Sequence, residues 1–137
     1  MRKELEEKLY KEFPSIFQQH EKTPQETCMC WGCTHGDGWF DILWNACDCI
    51  AQHEKWKTRY KESGVDTTEY MPVVFVQVKE KFGTLRIYYN GGDEYTAGVI
   101  DMASSLSAIT CENCGERGTM QKGGWLYVAC PACVRKQ

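Results

Sequence analysis

The spacing of apolar residues over 2–20 predicts an amphipathic helix. Apolar side chains recur every three to four residues, and Glu, Lys and Arg fill most of the positions between them. This period places the apolar side chains on one helical face that can dock on a core. Pro14 is expected to end the regular helix, because proline lacks the backbone donor that a helix interior requires. The predicted face comprises Leu5, Leu9, Phe13, Ile16 and Phe17.

A longer helix is predicted from Asp37 to about Ser63. Asp37 has the side chain of an N-cap, and Gly64 is a typical C-terminal stop. Residues 21–36, which precede this helix, are expected to form an ordered loop, and residues 65–71 are expected to form a linker after it. The predicted apolar face comprises Phe40, Leu43, Trp44, Cys47, Ile50 and Ala51.

The hydrophobic pattern then changes to one typical of β-strands. Residues 72–79 and 84–89 are rich in Val, Ile, Tyr and Phe, and the turn between them contains Gly83, so they predict an antiparallel hairpin. A third helix is predicted from Asp93 to about Ala108. This order of elements predicts an α+β fold, with amphipathic helices packed on a small antiparallel hairpin or sheet. The apolar face of the third helix comprises Val99, Met102, Ala103 and Leu106.

The last quarter of the chain contains the most specific chemical signal, two C-x2-C pairs separated by 15 residues. Each pair can fold into a tight knuckle that points two thiolates at one metal ion, and this spacing is typical of a zinc ribbon. Four thiolates fill a tetrahedral site, so we expect one structural Zn²⁺ with no open position for a substrate. The predicted organisation is an α+β core domain at 1–110 with a zinc ribbon at 111–137 packed on it. The predicted ligands are Cys111, Cys114, Cys130 and Cys133.

The cysteine content indicates the cellular compartment, and the net charge bears on the kind of partner. Nine cysteines without a recognisable secretion leader favour metal ligation in a reducing compartment over a disulfide framework. We therefore expect a cytoplasmic protein, and the lack of a long apolar run argues against a membrane span. The formal net charge is −3. Because proteins that grip duplex DNA usually present a basic face, this charge weakens the case for nucleic acid without excluding it.

A second group of metal-binding residue types lies near position 30. Its spacing, C-x-C-x2-C-x-H, permits a second zinc site but is less diagnostic than paired knuckles. Reduced structural thiols and a redox or nucleophilic cysteine are the alternatives, and the sequence leaves all three open. Cys47, on the apolar face of its helix, is most simply a core residue. The candidate ligands of the second site are Cys28, Cys30, Cys33 and His35.

Three further motifs precede the terminal cysteines: GDGWFDIL at 36–43, VKEKFGTLRIYY at 78–89 and GGD at 91–93. In this order, over residues 36–133, these segments and the ribbon resemble a family of small uncharacterised proteins of phages and prophage-bearing bacteria. The resemblance implies a phage-encoded accessory protein that works in the bacterial cytoplasm. It implies no particular activity, and the cysteines near position 30 are not part of it.

These observations favour a non-enzymatic binding module that engages a host or defence-system protein. A zinc ribbon suits this role, because the metal creates a rigid, exposed platform without a large core. Nucleic acid is the alternative partner, since Trp125 and Tyr127 alternate along a predicted strand and aromatic rings can stack on bases. Arg86 and Tyr88 lie on the polar side of their strand, so they are candidate binding residues on either hypothesis.

An enzyme and a nucleotide-binding protein are the remaining hypotheses. Two of the acidic residues, Asp37 and Asp93, also suit helix N-termini, and no established catalytic motif is present. The glycines at 36–38 and 90–92 precede helices whose N-termini can bind the phosphates of a nucleotide signal, although the adjacent Asp side chains would repel them. Asp37 and Asp93 are therefore also candidate binding residues, and the oligomeric state is left open. A metal-dependent hydrolase would have to be assembled from His35, Asp37, Asp41, Asp93 and Glu94.

Overall fold

The structure is a computed structural model that describes residues 1–65 and 68–135. The described residues form three α-helices and two small sheets, so the predicted α+β class is confirmed. The helices are α1 (Lys3–Glu12), α2 (Phe40–Glu62) and α3 (Glu94–Ser107). The strands are β1 (Cys33–Thr34), β2 (Val74–Lys81), β3 (Thr84–Asn90), β4 (Thr119–Gln121) and β5 (Tyr127–Ala129).

β2 and β3 form the predicted hairpin, and β1 extends it into a three-stranded sheet of order β1-β2-β3. β3 is antiparallel to β2, whereas β1 runs parallel to β2, with Cys33 opposite Val78 and Thr34 opposite Lys79. The prediction of a loop throughout 21–36 is therefore wrong near its end. A two-residue strand is too short to show an alternating pattern, and its pairing depends on a segment far away in the sequence.

α1 ends at Glu12, before Pro14, as predicted. The chain then continues in turns instead of a helix. Leu5, at the start of the predicted apolar face, is only half-buried, but the rest of the face enters the core. Phe17 meets Phe75 of β2 edge-on, with the ring centroids 5.3 Å apart, which joins the N-terminal segment to the sheet. The buried members of the face are Leu9, Phe13, Ile16 and Phe17.

α2 crosses the centre of the core, and its start differs from the prediction. The helix begins at Phe40, because Asp37–Trp39 form a 3-10 turn and Asp37 does not cap the helix. The Asp37 carboxylate instead accepts a hydrogen bond from the Arg2 backbone N–H at 2.7 Å and pairs with the Arg2 guanidinium at 2.6 Å. The predicted C-terminal stop is confirmed, since Gly64 takes φ 76° just after the helix. The buried residues of α2 are Leu43, Ala46, Cys47 and Ile50.

α3 begins after Asp93, as predicted, and its first turn is closed by a capping box. Asp93 Oδ1 accepts a hydrogen bond from the Thr96 backbone N–H at 3.2 Å. In return, Thr96 Oγ1 accepts one from the Asp93 backbone N–H at 3.3 Å. Two of the donors that a helix start leaves without partners are satisfied in this way.

The predicted apolar face of α3 is only partly packed. Ala103 is buried, but Met102 is 64% exposed and Leu106 is 42% exposed. The helix contacts β3 through smaller side chains, and the buried Ser107 hydroxyl accepts a hydrogen bond from the Leu85 backbone N–H at 2.8 Å. Because this hydrogen bond holds the helix by its small-residue side, the larger apolar side chains remain outside the core.

The C-terminal hairpin of β4 and β5 has its own small buried cluster, separate from the main core. The Trp39 indole, which is fully buried just before α2, donates a hydrogen bond to the Thr110 carbonyl just after α3 at 2.9 Å. This bond ties the hairpin region to the helical layer. Residues 66–67 of the predicted linker and 136–137 of the predicted ribbon lie outside the described residues.

Candidate metal centre and binding surfaces

The four predicted zinc ligands converge at one point. Their Sγ atoms all lie within 4.8 Å of one another, and those of Cys114 and Cys130 are 3.6 Å apart. Zinc–sulfur bonds of ~2.3 Å in a tetrahedron separate neighbouring sulfurs by about 3.8 Å. The cluster can therefore hold a metal ion such as zinc. Its members are Cys111, Cys114, Cys130 and Cys133.

Local backbone geometry explains why the thiols point inward. The Gly115 N–H donates to the Cys111 carbonyl at 2.9 Å, and the Cys133 N–H donates to the Cys130 carbonyl at 3.0 Å, so each C-x2-C pair closes a tight turn. Gly115 takes φ 84°, a left-handed conformation that a residue with a Cβ adopts only under strain. The β4–β5 hairpin then brings the second pair back to the first.

The electrostatics of the cluster favour one thiolate before any metal is present. Burial raises the pKa of the Cys111 thiol, but hydrogen bonds from backbone N–H groups outweigh burial and lower that pKa to about 6. Each further thiolate must form beside this negative charge, so four thiolates together require the positive charge of a bound cation. The backbone donors to Cys111 are Cys130, Cys114 and Asn113.

The first knuckle docks on the turn before α2 through two glycines that the sequence analysis interpreted as turn residues. The Gly38 N–H donates to the Glu112 carbonyl at 2.8 Å, and the Gly36 N–H donates to the Glu112 carboxylate at 3.0 Å. A Cβ on Gly36 would overlap the Glu112 carbonyl oxygen, and a Cβ on Gly38 would overlap that of Cys111. The GDGW segment is therefore a docking site for the metal knuckle. Two glycines flanking Asp37 were the only sequence signal of this contact.

These hydrogen bonds also bear on the proposed phosphate sites. The Gly36 and Gly38 N–H groups are used by Glu112, and the Gly92 N–H donates to the Met71 carbonyl at 2.8 Å. Gly91 lies against the Pro72 carbonyl, where a Cβ would not fit. Both glycine segments thus serve close backbone packing inside the protein, which argues against a nucleotide at either one.

The four candidate ligands near position 30 do not come together. Among residues 1–65 and 68–135, the only group of three or more candidate metal ligands is the C-terminal one. Cys28 is exposed, and the Cys30 thiol donates to the Thr27 carbonyl at 3.3 Å. Cys33 is 1% exposed, and burial raises the pKa of its thiol to about 12. This geometry fits reduced structural thiols.

His35 is buried and neutral at physiological pH. Burial lowers its pKa to about 4, and its Nδ1 donates to the Gly36 carbonyl at 2.8 Å. Its Nε2 has no hydrogen-bond partner, and its ring lies 5.6 Å from that of Trp39. Asp37, the nearest acidic candidate in the sequence, is held by Arg2 at the surface. These residues therefore have separate structural roles.

Asp93 connects the start of α3 to α2. Besides its capping bonds, its Oδ2 lies 2.7 Å from His53 Nε2 and 3.9 Å from Lys57 Nζ. Partial burial raises the pKa of the Asp93 carboxyl, but hydrogen bonds from His53 and Thr96 outweigh burial and hold the pKa below its usual value. The Tyr95 ring stacks on His53 at 4.2 Å. Asp93 is thus a structural anchor between two helices.

Arg86 and Tyr88 lie on the solvent side of the sheet, as predicted. Leu85 and Ile87 are buried beneath them, whereas Arg86 is exposed and Tyr88 is 40% exposed. The strand register places the same side of β2 beside them. We call this side the outer sheet face. Its members are Gln77, Lys79 and Lys81 from β2 and Thr84, Arg86 and Tyr88 from β3.

The two predicted ribbon aromatics differ in their surroundings. Trp125 is 74% exposed at the tip of the β4–β5 hairpin. Tyr127 is half-buried. The Arg135 guanidinium lies over its ring, 4.4 Å from the ring centroid, and its hydroxyl accepts a hydrogen bond from the Arg135 backbone N–H at 3.0 Å. Trp125 is therefore the more accessible of the two.

An apolar groove, which we call the α2–α3 groove, runs between the two longer helices and encloses about 310 Å³. The sequence did not predict this groove, because hydrophobic periodicity identifies an apolar face on each helix and does not show whether the two faces can both be buried. Its floor is almost entirely apolar, and Met102 is the most exposed of the large apolar residues in its wall. Its apolar lining includes Ile42, Ala46, Cys49, Val99, Met102 and Leu106.

One acidic side chain, that of Asp41, is exposed in the lining of this groove. Glu94 and Asp101 of α3 are also exposed, but helical spacing places them on the side of α3 away from the lining residues. An apolar groove with an acidic side chain in its wall is suited to a partner with apolar and basic side chains.

Comparisons with known proteins add no relative: no protein-family model, no curated protein and no solved structure matches the chain.

Proposed function

We propose that this chain is a phage accessory protein that acts in the bacterial cytoplasm as a metal-stabilised, non-enzymatic binding module for a host or defence-system protein. The α2–α3 groove is the observation that carries this proposal. Leu106 and Met102 of α3 are 42% and 64% exposed. Large apolar side chains that are exposed in one contiguous strip mark an interaction surface.

The partner segment that fits this groove is an amphipathic helix with a basic side chain beside its apolar face. A helix laid in a groove between two helices is a recurring mode of protein recognition, in which apolar side chains anchor it. A Lys or Arg beside those anchors would meet Asp41 in the groove lining.

The metal centre contributes to this function by holding one end of the groove. Trp39, just before α2, is bonded to Thr110, just after α3, and Thr110 leads directly into the first metal ligand. The other end is held by His53 of α2 and Asp93 at the start of α3. With four protein thiolates around it, the metal has a structural role and no open coordination position.

The test compares the proteins captured from bacterial lysate by the zinc-loaded chain and two variants. Met102→Glu places a charge inside the groove, so we expect at least one captured host protein to be lost. Ala97→Glu is the matched control, because Ala97 is exposed on α3 away from the groove lining. Its captured proteins should equal those of the unmodified chain.

The direct measurement then uses a synthetic amphipathic peptide from the captured protein and fluorescence anisotropy. Burial of one methionine side chain contributes about 1.5–3 kcal/mol, so Met102→Glu should weaken affinity by at least about tenfold. If all three proteins capture the same set and bind the peptide equally, the groove is not the binding site and the proposal is wrong.

A further inference from the structure

The turn between β2 and β3 contains an unusual backbone conformation. Phe82 and Gly83 take φ values of 54° and 82°, so both central residues of this two-residue turn are left-handed. Such a turn favours Asn-Gly, because Asn and Gly tolerate positive φ and a bulky aromatic residue does not. In the described part of the chain, Phe82 is the only residue other than glycine with positive φ.

Burial of the Phe82 side chain does not offset the free-energy cost of its left-handed backbone conformation. The Phe82 side chain is 67% exposed, and its ring lies 5.8 Å from the Lys81 ammonium group. Backbone strain of this kind concentrates at functional sites, where the position of the side chain matters more than stability. The geometry therefore presents an aromatic ring to solvent at one end of the sheet.

The outer sheet face continues from this ring as a basic surface. Lys79 is paired with Arg86, and Lys81 is adjacent to the turn. The structure describes β2 and β3 throughout, and their only acidic residue, Glu80, pairs with Leu85 on the inner face. The Glu80 carboxylate also accepts the Gly83 N–H at 2.8 Å, which holds it at the turn. Three cations thus share a face that contains no acidic residue of either strand.

A second exposed aromatic ring belongs to the hairpin that packs against this turn. Gly83 packs against the β4–β5 hairpin, since a Cβ there would meet the Met120 side chain and the Leu126 backbone. Trp125, next to Leu126 in the chain, is 74% exposed. Two hairpin tips from distant parts of the sequence therefore present Phe82 and Trp125 at the same end of the basic face.

We propose that this combined surface binds single-stranded nucleic acid. Exposed rings stack on bases without sequence preference, while cations on a groove or sheet contact the phosphates. A duplex is a poor fit, because its paired bases already stack on one another and their faces are closed to side chains. The binding residues are Lys79, Lys81, Phe82, Arg86, Tyr88 and Trp125.

This surface is independent of the α2–α3 groove. The helices pack on the inner face of the sheet, where Leu85 and Ile87 are buried, whereas the cations project from the other face. The inference therefore goes beyond the proposed protein-binding function, and either one can fail without the other.

The test measures fluorescence anisotropy of a fluorescein-labelled oligothymidylate with the zinc-loaded full chain. We expect binding that weakens with salt, with a slope of roughly −2 in log K against log salt if three cations contact phosphates. Phe82→Asn is the decisive variant. Because Asn suits the left-handed turn, its melting temperature should be unchanged or higher, while affinity should fall by about tenfold through the loss of one stacked base.

Controls separate stacking from simple charge attraction. Met102→Glu, in the groove, should bind the oligonucleotide as the unmodified chain does, and a hairpin duplex DNA should bind more weakly than the single strand. The proposal is overturned if no single strand binds or if the duplex binds equally well. It is also overturned if Phe82→Asn has no effect on affinity, and competition by polyglutamate would then identify an acidic protein surface as the partner.

Discussion

At the level of single residues, Gly36 and Gly38 allow two distant parts of the chain to pack closely, because neither residue has a side chain. Both lie beneath the first metal knuckle, and their N–H groups donate to Glu112. The close approach of two backbones is the reason that glycine is required at these positions. Asp37 between them points away and binds Arg2.

Gly38→Ala should destabilise the protein by about 1–3 kcal/mol, the usual cost of forcing a methyl group into a packed site. Its new Cβ would overlap the Cys111 carbonyl oxygen, which is backbone and cannot rotate away. Gly98→Ala is the matched control, because nothing lies within 4 Å of its Cβ position on α3. We expect that control to stabilise the helix by about 0.5–1 kcal/mol. Urea unfolding measures both, and equal stabilities would contradict the docking role.

The four thiol ligands could be predicted from the sequence, whereas their docking partners could not. A C-x2-C pair is a local feature, so its spacing alone indicates a knuckle. The contact of Gly38 with Glu112 joins segments far apart in the chain, and a glycine beside Asp37 has the same appearance in any turn. The sequence shows that glycine is present and cannot show which backbone approaches it.

At the level of elements, the helices and the hairpin followed from periodicity, and the errors occurred where tertiary contacts decide. Asp37 was expected to cap α2, but its carboxylate is taken by Arg2 and the helix begins at Phe40. The predicted face of α3 was correct as a pattern, yet the helix docks through Ala103 and the adjacent Ser107, and Met102 and Leu106 stay exposed. Hydrophobic period identifies a face and does not identify which neighbour covers it.

Asp93 supplies the pH-dependent contact between α2 and α3. Its pKa is lowered in the folded protein, so its ionised form stabilises the fold above its ordinary pKa of 3.8. That contribution is lost as the pH falls through the lower folded value. Asp93→Asn keeps the cap and removes the charge opposite His53, so we expect a loss of about 0.5 kcal/mol at neutral pH.

The difference between Asp93→Asn and the unmodified chain should diminish as the pH falls below the ordinary pKa of 3.8, because Asp93 then takes up a proton in the unfolded chain before it does in the folded protein. Urea unfolding at several pH values between about 7 and 3 measures it. Asp48→Asn, an exposed acid on α2, is the control and should change stability little at any pH. A difference at Asp93 that stays constant with pH would show that the charge of the carboxylate does not stabilise the contact between the two helices.

At the level of the whole molecule, the net charge of −3 conceals two faces of opposite sign. Glu94 and Asp101 are exposed on α3, which contains no basic residue, whereas Lys79, Lys81 and Arg86 share the outer sheet face. The net charge argued against a nucleic-acid partner at the level of sequence. A net charge, however, does not show where the charged residues lie in the fold. The fold separates the charges by placing helices on one side of the sheet and solvent on the other.

A metal ion held by the four cysteines would connect the ribbon to one end of the α2–α3 groove. The main core is built from α1, α2, α3 and the sheet, but the ribbon's own buried cluster contains only Cys111, Ala129 and Cys130. So small a cluster cannot offset the entropy of ordering the ribbon, and a metal ion held by the four cysteines would supply the difference. Loss of the metal should therefore unfold the ribbon before the core.

Cys114→Ser should abolish metal binding, measured as zinc per chain by native mass spectrometry, and should raise amide hydrogen exchange over 105–110. Exchange over 94–98 should stay the same, because His53 and Asp93 hold that end of α3 without the metal. Cys28→Ser is the matched control and should keep one zinc and the original exchange pattern, since Cys28 lies outside the ligand cluster. Two zinc ions per chain would contradict a single metal site, and exchange that rises evenly along α3 would show that the metal does not act on one end of the groove.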